Sequence, residues 1–421
     1  MRTGMLGRLE EMRGCSLPED VAGAMLAVPR HEFVPGVPAE EAYGLSPVVT
    51  HRDGQGVATS SASAPGTVAG MLEQAQVRPG QRVLEIGAGT GYNAALLARL
   101  VGSSGTVVTV EFDPVVAEAA RAHLVAYGAD RVRVVTGDGM LGAADDGPFD
   151  RILVTAGAWD VASAWWDQLA EGGRLVLPLR LCGLTRVVAF ERSGDRLYST
   201  SVVEDGFIPM KGIGAVAETN LPLGPGPDLT LRIDDGRPVQ LALLHALDDG
   251  PEVVWTEVTA PWAWTPDQDL WLAALPGLCR VFVSPQAVSA GRVSRAKDPW
   301  GAWGVFSGGS VGYLTARRAG GTDEMPMLQV GACGFGPEGA ELARGLAGRV
   351  QAWREETAGD IEVTIEVRRA GGPRLPSEEG ALLVVDKTDH VFAVTAKARS
   401  APVDAASGSV TTQGAGHPTA S

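Results

Sequence analysis

Val83-Leu84-Glu85-Ile86-Gly87-Ala88-Gly89-Thr90-Gly91-Tyr92 is the stretch whose reading decides the fold. A short apolar run at 83–86 meets three alternate glycines and then residues 93–101, where Ala94, Ala95, Leu97, Ala98 and Val101 fall on one helical face. The pattern is a buried strand, a tight turn and a helix. Glycines at the turn let the backbone approach a ligand with no Cβ in the way. A dinucleotide fingerprint would carry its third glycine where Tyr92 stands, which disfavours a pyrophosphate loop. Glu85 leading into the glycines suits S-adenosylmethionine instead, because its sulfonium is cationic and it has no phosphate to cradle.

Working outward, strand and helix alternate. Residues 106–110 are β-branched and end at Glu111, 20 positions after Gly91, the spacing that sets a carboxylate on ribose hydroxyls. A helix at 114–127 follows the cap-like Asp113-Pro114 pair, and strands at 132–136 and 149–155 flank Gly137-Asp138-Gly139. A helix at 162–169 and a strand at 172–178 complete a doubly wound, mostly parallel α/β sheet. Residues 187–191, 197–203 and 207–209 are expected as antiparallel additions at one edge. Upstream, residues 1–30 have helical periodicity, and prolines bracket an extended piece at 28–35. Residues 44–65, rich in Gly, Ser, Thr and Pro and holding His51-Arg52-Asp53, form a loop long enough to be functional.

A length of 421 residues favours two domains. The boundaries are read at 1–212 for the sheet domain, 213–395 for an α+β domain, and 396–421 for a small, polar, aperiodic tail expected to be disordered. In the second domain, Leu342, Leu346, Val350 and Trp353 mark an amphipathic helix, and 382–385 can pair with 391–394 as a hairpin. Trp255, Trp262, Trp264 and Trp271 cluster there, as core packing or as a peptide-binding surface. The net charge of −15 argues against nucleic acid or an anionic membrane as partner. Four scattered cysteines without a C-x-x-C pair favour a reduced, cytoplasmic protein with no disulfide framework and no metal site. No apolar run approaches the ~20 residues of a membrane span.

Six segments together resemble the protein-L-isoaspartate O-methyltransferase family: Val28-Pro29-Arg30-His31-Glu32-Phe33-Val34-Pro35, Ser61-Ala62-Ser63-Ala64-Pro65, the glycine stretch, Gly137-Asp138-Gly139, the strand at 149–156 and Gly172-Gly173-Arg174-Leu175-Val176-Leu177-Pro178. The resemblance covers about residues 5–212. More faintly, the remainder looks like the domains appended to actinobacterial methyltransferases that serve modified-peptide biosynthesis of the lanthipeptide or graspetide type. The resemblance implies methyl transfer from S-adenosylmethionine to a carboxylate of an isoaspartyl or aspartyl residue in a protein or precursor peptide. The ester is then attacked by the following backbone amide, giving a succinimide that opens to Asp and isoAsp. A carboxylate is ionised near neutrality, its ordinary pKa being ~4, so no general base is needed.

Residue by residue, the resemblance implies that Glu85, Gly87, Gly89 and Gly91 surround the methionine end and ribose of the cofactor. Glu111 would hold the ribose hydroxyls, and Asp138 with Gly139 would meet the adenine. Ser63 would donate to the reacting carboxylate, while Thr155 and Ala156 would close the pocket. His51 and Arg52 are candidates for holding an acidic substrate. Two departures, Ser61-Ala62 in place of Thr-Ile and Trp159 in place of a proline, fall near the expected substrate mouth. The readings to be weighed against this one are a non-catalytic cofactor-binding scaffold, a peptide-binding module and a small-molecule methyltransferase. Oligomeric state is not legible.

Overall fold

The structure, a computed structural model, describes residues 1–398 except 55, 225, 234–238, 249, 262–265, 298–300, 323–325 and 358–360. Helices α1 (Arg2–Arg13), α2 (Glu19–Ala27) and α3 (Ala39–Ala42) come first, then a hairpin of β1 (Val48–Arg52) and β2 (Ala58–Ala62) and helix α4 (Pro65–Ala75). The alternating segment follows as β3 (Arg82–Ile86), α5 (Tyr92–Val101), β4 (Thr106–Glu111), α6 (Pro114–Tyr127), β5 (Arg133–Thr136), β6 (Phe149–Val154), α7 (Ser163–Gln168) and β7 (Leu169–Leu181). Local signals set these limits. At the start of α6, Asp113 accepts from Val115 N and Val116 N with Pro114 in the first turn, and Gly128 closes the helix at φ 86°.

Five strands run parallel in the spatial order β5-β4-β3-β6-β7. The chain winds one way from β3 and then returns to its other side with β6, so the crevice beyond Ile86 and Val154 is the switch point where such sheets bind ligands. Alternation divides the side chains between two cores. Val83, Val107 and Leu153 face α1, α2, α4 and α5, whereas Leu84, Val108 and Ile152 face Trp165 and Trp166 of α7.

Beyond β7 the sheet turns antiparallel through β8 (Leu184–Ser193) and β9 (Arg196–Glu204). A second, wholly antiparallel sheet contains β10 (Thr219–Leu223), β11 (Leu229–Ile233), β12 (Glu252–Pro261), β13 (Leu278–Val283), β14 (Ala302–Ser307), β15 (Ser310–Gly321) and β16 (Pro326–Phe335), in the order β10-β11-β13-β14-β15-β16-β12. Helices α8 (Pro266–Leu272) and α9 (Pro285–Ser289) connect its strands. Across it lies α10 (Gly339–Thr357), whose Ala343, Leu346 and Val350 fill the core with Val305, Leu314 and Val330. The chain then returns to the first sheet. Strands β17 (Ile361–Arg369), β18 (Leu383–Asp386) and β19 (His390–Ala398) extend it to ten, β17 pairing with β9 through Glu366↔Tyr198 and Val367↔Leu197.

Several expectations change here. The first sheet is parallel for five of its ten strands, so "mostly parallel" holds for its N-terminal half only. The split at 213–395 does not follow sheet membership, because 361–398 complete the first sheet. Residues 44–65 contain the β1–β2 hairpin, and within 28–35 the span Arg30–Phe33 is a 3-10 turn rather than an extended piece. Residues 207–209 form no strand: one bridge, Gly157↔Pro209, ties them to the end of β6. Residues 396–398 of the expected tail belong to β19, and 399–421 lie outside the described residues. The hairpin at 382–394 is β18–β19, in register Leu383↔Val394. Of the tryptophan cluster, Trp262 and Trp264 lie outside the described residues, while Trp255 and Trp271 stack under Arg317 and Arg349 at 4.2 and 3.8 Å. No helix among the described residues is long and apolar enough to cross a membrane.

Candidate active site

A cavity of about 260 Å3 opens at the switch point. Its floor is the glycine turn. Gly87, Gly89 and Gly91 all have left-handed φ, at 99°, 52° and 84°. At Gly87 a Cβ would stand 2.5 Å from Thr155 Oγ1, so this glycine is demanded by conformation and by space together. The Thr155 hydroxyl donates to the carbonyls of Ile86 and Gly87 at 3.0 and 2.8 Å, fastening the end of β6 to the turn. Gly91 faces Ala120 and Leu124 of α6 and serves packing rather than the cavity.

Two carboxylates flank the turn. Glu111, at the end of β4, accepts from Gly89 N at 2.9 Å and from Asp113 N at 3.2 Å. It holds the turn in shape while lining the cavity. Glu85 is fully buried and accepts from Asn93 Nδ2 at 2.8 Å and Thr109 Oγ1 at 2.6 Å. Burial pushes its carboxyl up from an ordinary 4.5 to about 7, against the pull of those two donors. The folded chain therefore keeps a proton that the unfolded chain releases. Stability from this group is complete below pH 4.5 and is lost as pH climbs through 7. The chain without cofactor should lose on the order of 1–3 kcal/mol through Glu85 between about pH 5 and pH 8. Thermal melts of the wild type and Glu85→Gln across that range check this. The variant should lack the slope, and matching slopes would contradict it.

Further lining comes from the end of the hairpin with the residues just after it and from 206–211. Ser63 lines the cavity beside Ser60 and Ser61, and its hydroxyl has no hydrogen bond among the described residues. Arg30 sets the position of this segment. Wholly buried, it donates through Nε to Ala42 O at 2.8 Å and through Nη2 to Ala62 O and Ser63 O at 3.2 and 2.8 Å. Its guanidinium lies 5.1 Å over the Tyr92 ring, which gives the residue in the third-glycine place a use of its own. Sequence reasoning passed over Arg30; the available signal was a charged residue inside an apolar, proline-bracketed run. Phe112 and Lys211, which also line the cavity, were missed as well.

Other expected residues lie as follows. Gly139, Thr155 and Ala156 line the cavity. Asp138 does not: its carboxylate oxygens accept from Met140 N at 2.9 Å and Ile213 N at 2.7 Å, so it shapes the rim by pinning Gly212–Gly214. His51 and Arg52 also stand outside the cavity, on β1, with Arg52 exposed and donating to Gly56 O at 2.9 Å. Trp159 is likewise off the cavity, its ring 4.5 Å beneath Lys387 Nζ.

A doubly wound sheet with a glycine turn, a ribose-spaced carboxylate and a cavity at its switch point defines an α/β protein with a nucleoside-type cofactor cleft. The chain belongs to the protein-L-isoaspartate(D-aspartate) O-methyltransferase family, whose model matches residues 3–213. A protein-L-isoaspartate O-methyltransferase of Methanopyrus kandleri is 44% identical over 198 residues, 47% of this chain and 80% of that protein. A solved protein-L-isoaspartate O-methyltransferase structure overlaps 87% of this chain and 96% of its own, at TM-score 0.49 and 22% identity. Another, described as a protein-L-isoaspartate O-methyltransferase from Plasmodium falciparum in complex with S-adenosyl-L-homocysteine, covers 50% of this chain and 98% of its own, at TM-score 0.44 and 19% identity. Residues 214–421 lie outside the family match.

Proposed function

We propose that the chain is an S-adenosylmethionine-dependent carboxyl O-methyltransferase acting on an isoAsp or Asp residue of a peptide or protein, and that its second half restricts it to a dedicated substrate. The observation that carries the reading is the cavity itself. Glu85, Gly87, Gly89, Glu111 and Ser63 all line it. The residues fit the cofactor: a carboxylate for ribose hydroxyls and an apolar face of Ile86, Val110 and Phe112 for a flat base. When bound, S-adenosylmethionine supplies a methyl carbon made electrophilic by its sulfonium.

The chain's own residues supply alignment and dryness. Glu111 and the turn hold the nucleoside end, and the Ser63 hydroxyl, its segment locked by Arg30, donates to one oxygen of the acceptor carboxylate and sets its angle. Residues 206–211 also line the cavity and limit its water. Ser63→Ala should lower kcat about tenfold with little change in cofactor affinity. Equal steady-state kinetics for variant and wild type would remove Ser63 from the site. The dedicated-substrate part is tested with an isoAsp peptide and its Asp twin: a strong isoAsp preference would favour general repair instead. If neither peptide is methylated, the methyltransferase reading itself fails.

A further inference from the structure

Two acids and one base line the cavity at the glycine turn. The acids are Glu85 and Glu111, and Lys211 is the one cation among the described lining residues. Both acids are engaged within the fold: Glu85 accepts from Asn93 and Thr109, and Glu111 from the amides of Gly89 and Asp113. Among the described residues the half-buried Lys211 makes no side-chain hydrogen bond and no ion pair. Lys387 differs, its ammonium donating to Trp159 O and Arg180 O.

The backbone that carries Lys211 is nonetheless held on both sides. Met210 N donates to Gly157 O at 3.0 Å, and the bridge Gly157↔Pro209 ties the preceding residues to the end of β6. Two residues further on, Ile213 N donates to Asp138 Oδ2 at 2.7 Å. Gly212 stands between, at φ 74°, and a Cβ there would collide with the Asp138 carboxylate. Glycine therefore lets the chain pass close enough for that bond. A lysine is thus fixed in place at its main chain while its charge is left without a partner.

The charges of the two ligands decide which of them it suits. S-adenosylmethionine carries a sulfonium and an ammonium against one carboxylate, so a further cation brings it no net gain. The acceptor is an anion, and a chain of net charge −15 repels it through the overall field. An ammonium in the cavity offsets that repulsion locally and brings up to three donors. We propose that Lys211 is a substrate-binding residue whose ammonium pairs with the acceptor carboxylate, on the oxygen that Ser63 leaves free. Lys211 has this role only if the methyltransferase reading holds, and it adds a charged donor to that reading. Methyl transfer removes the charge from the carboxylate, so the pair is stronger before the transition state than in it. Its contribution therefore falls on KM and not on kcat.

The test uses the full chain, Lys211→Met, which keeps the apolar stem without the charge, and Lys211→Arg, which keeps the charge. Lys211→Met should raise the KM of an isoAsp peptide about tenfold, with kcat unchanged or higher. Its affinity for S-adenosylhomocysteine and its melting temperature should match the wild type, and Lys211→Arg should recover most of the KM. The tenfold gap should narrow as salt rises, because an ion pair open to solvent is screened. If Lys211→Met does not fold, Lys211→Gln takes its place. An unchanged KM, or a loss that falls on S-adenosylhomocysteine instead of the peptide, would overturn the assignment. Fluorescence anisotropy of the labelled peptide and its isoasparagine twin, with S-adenosylhomocysteine present, makes the comparison without turnover. A preference for the acid that Lys211→Met abolishes, with no methyl transfer by the wild type, keeps Lys211 as the carboxylate's partner and sinks the methyltransferase reading. Methyl transfer with equal affinities in both proteins does the reverse.

Discussion

A chain ended after α10, lacking β17, β18 and β19, should show no cooperative thermal transition and no methyl transfer. Ile365, Val367, Phe392 and Val394 are wholly buried and share one core with Leu175, Val188 and Phe190. At roughly 1.5–3 kcal/mol for each buried large side chain, these four supply about 6–12 kcal/mol, the size of a domain's whole stability. Their loss would also leave β9 as a bare edge, with the backbone facing β17 unpaired. The same segment reaches a stretch that adjoins the cavity through its turn. Lys387 Nζ donates to Trp159 O and, at 2.5 Å, to Arg180 O, while His390 Nδ1 and Asp389 N meet the Asp160 carboxylate at 3.2 Å each. These contacts brace 157–160, which leads out of the cavity-lining Thr155 and Ala156. Calorimetry of the truncated chain is the check: a sharp endotherm with retained activity would show that the family-like half is self-sufficient here.

Glu111→Ala should weaken cofactor binding about 30- to 1000-fold, roughly 2–4 kcal/mol, the size of losing the two charge-assisted hydrogen bonds to ribose hydroxyls proposed for it. Part of the effect is indirect, because the same carboxylate accepts from Gly89 N and holds the turn. Glu111→Gln separates the two contributions: it keeps one acceptor oxygen for Gly89 N and loses the charge. Titration calorimetry with S-adenosylhomocysteine should place Glu111→Gln between wild type and Glu111→Ala. Full affinity in Glu111→Ala would remove the residue from the cofactor site.

The parallel half of the fold was legible because its signals are local. The apolar run at 83–86, the glycines and the Asp113-Pro114 cap each act within a few residues, and Glu111 follows at a fixed distance. What escaped depends on contacts distant in sequence. Residues 361–369 alternate like any exposed-edge strand, and nothing in them says that their partner is β9 rather than a neighbour in the second half. Composition made 44–65 look like loop because Ser and Thr are ambiguous between turn and strand, and only the register Val48↔Ala62 distinguishes them. Asp138 was matched by motif, yet its carboxylate is turned to Ile213 N, 75 positions away. Arg30 was missed for the same reason: its acceptors, Ala42 O, Ala62 O and Ser63 O, are carbonyls that no side-chain pattern reveals.

The central claim, that the cavity at the β3 switch point delivers a methyl group to a peptide carboxylate, is tested most directly by incubating the full chain with methyl-labelled S-adenosylmethionine and an isoAsp or Asp peptide. The account predicts label on the peptide that mild alkali releases as methanol, because a carboxyl ester hydrolyses where an N- or C-methyl group does not. No incorporation on either peptide, or label that withstands alkali, would contradict it.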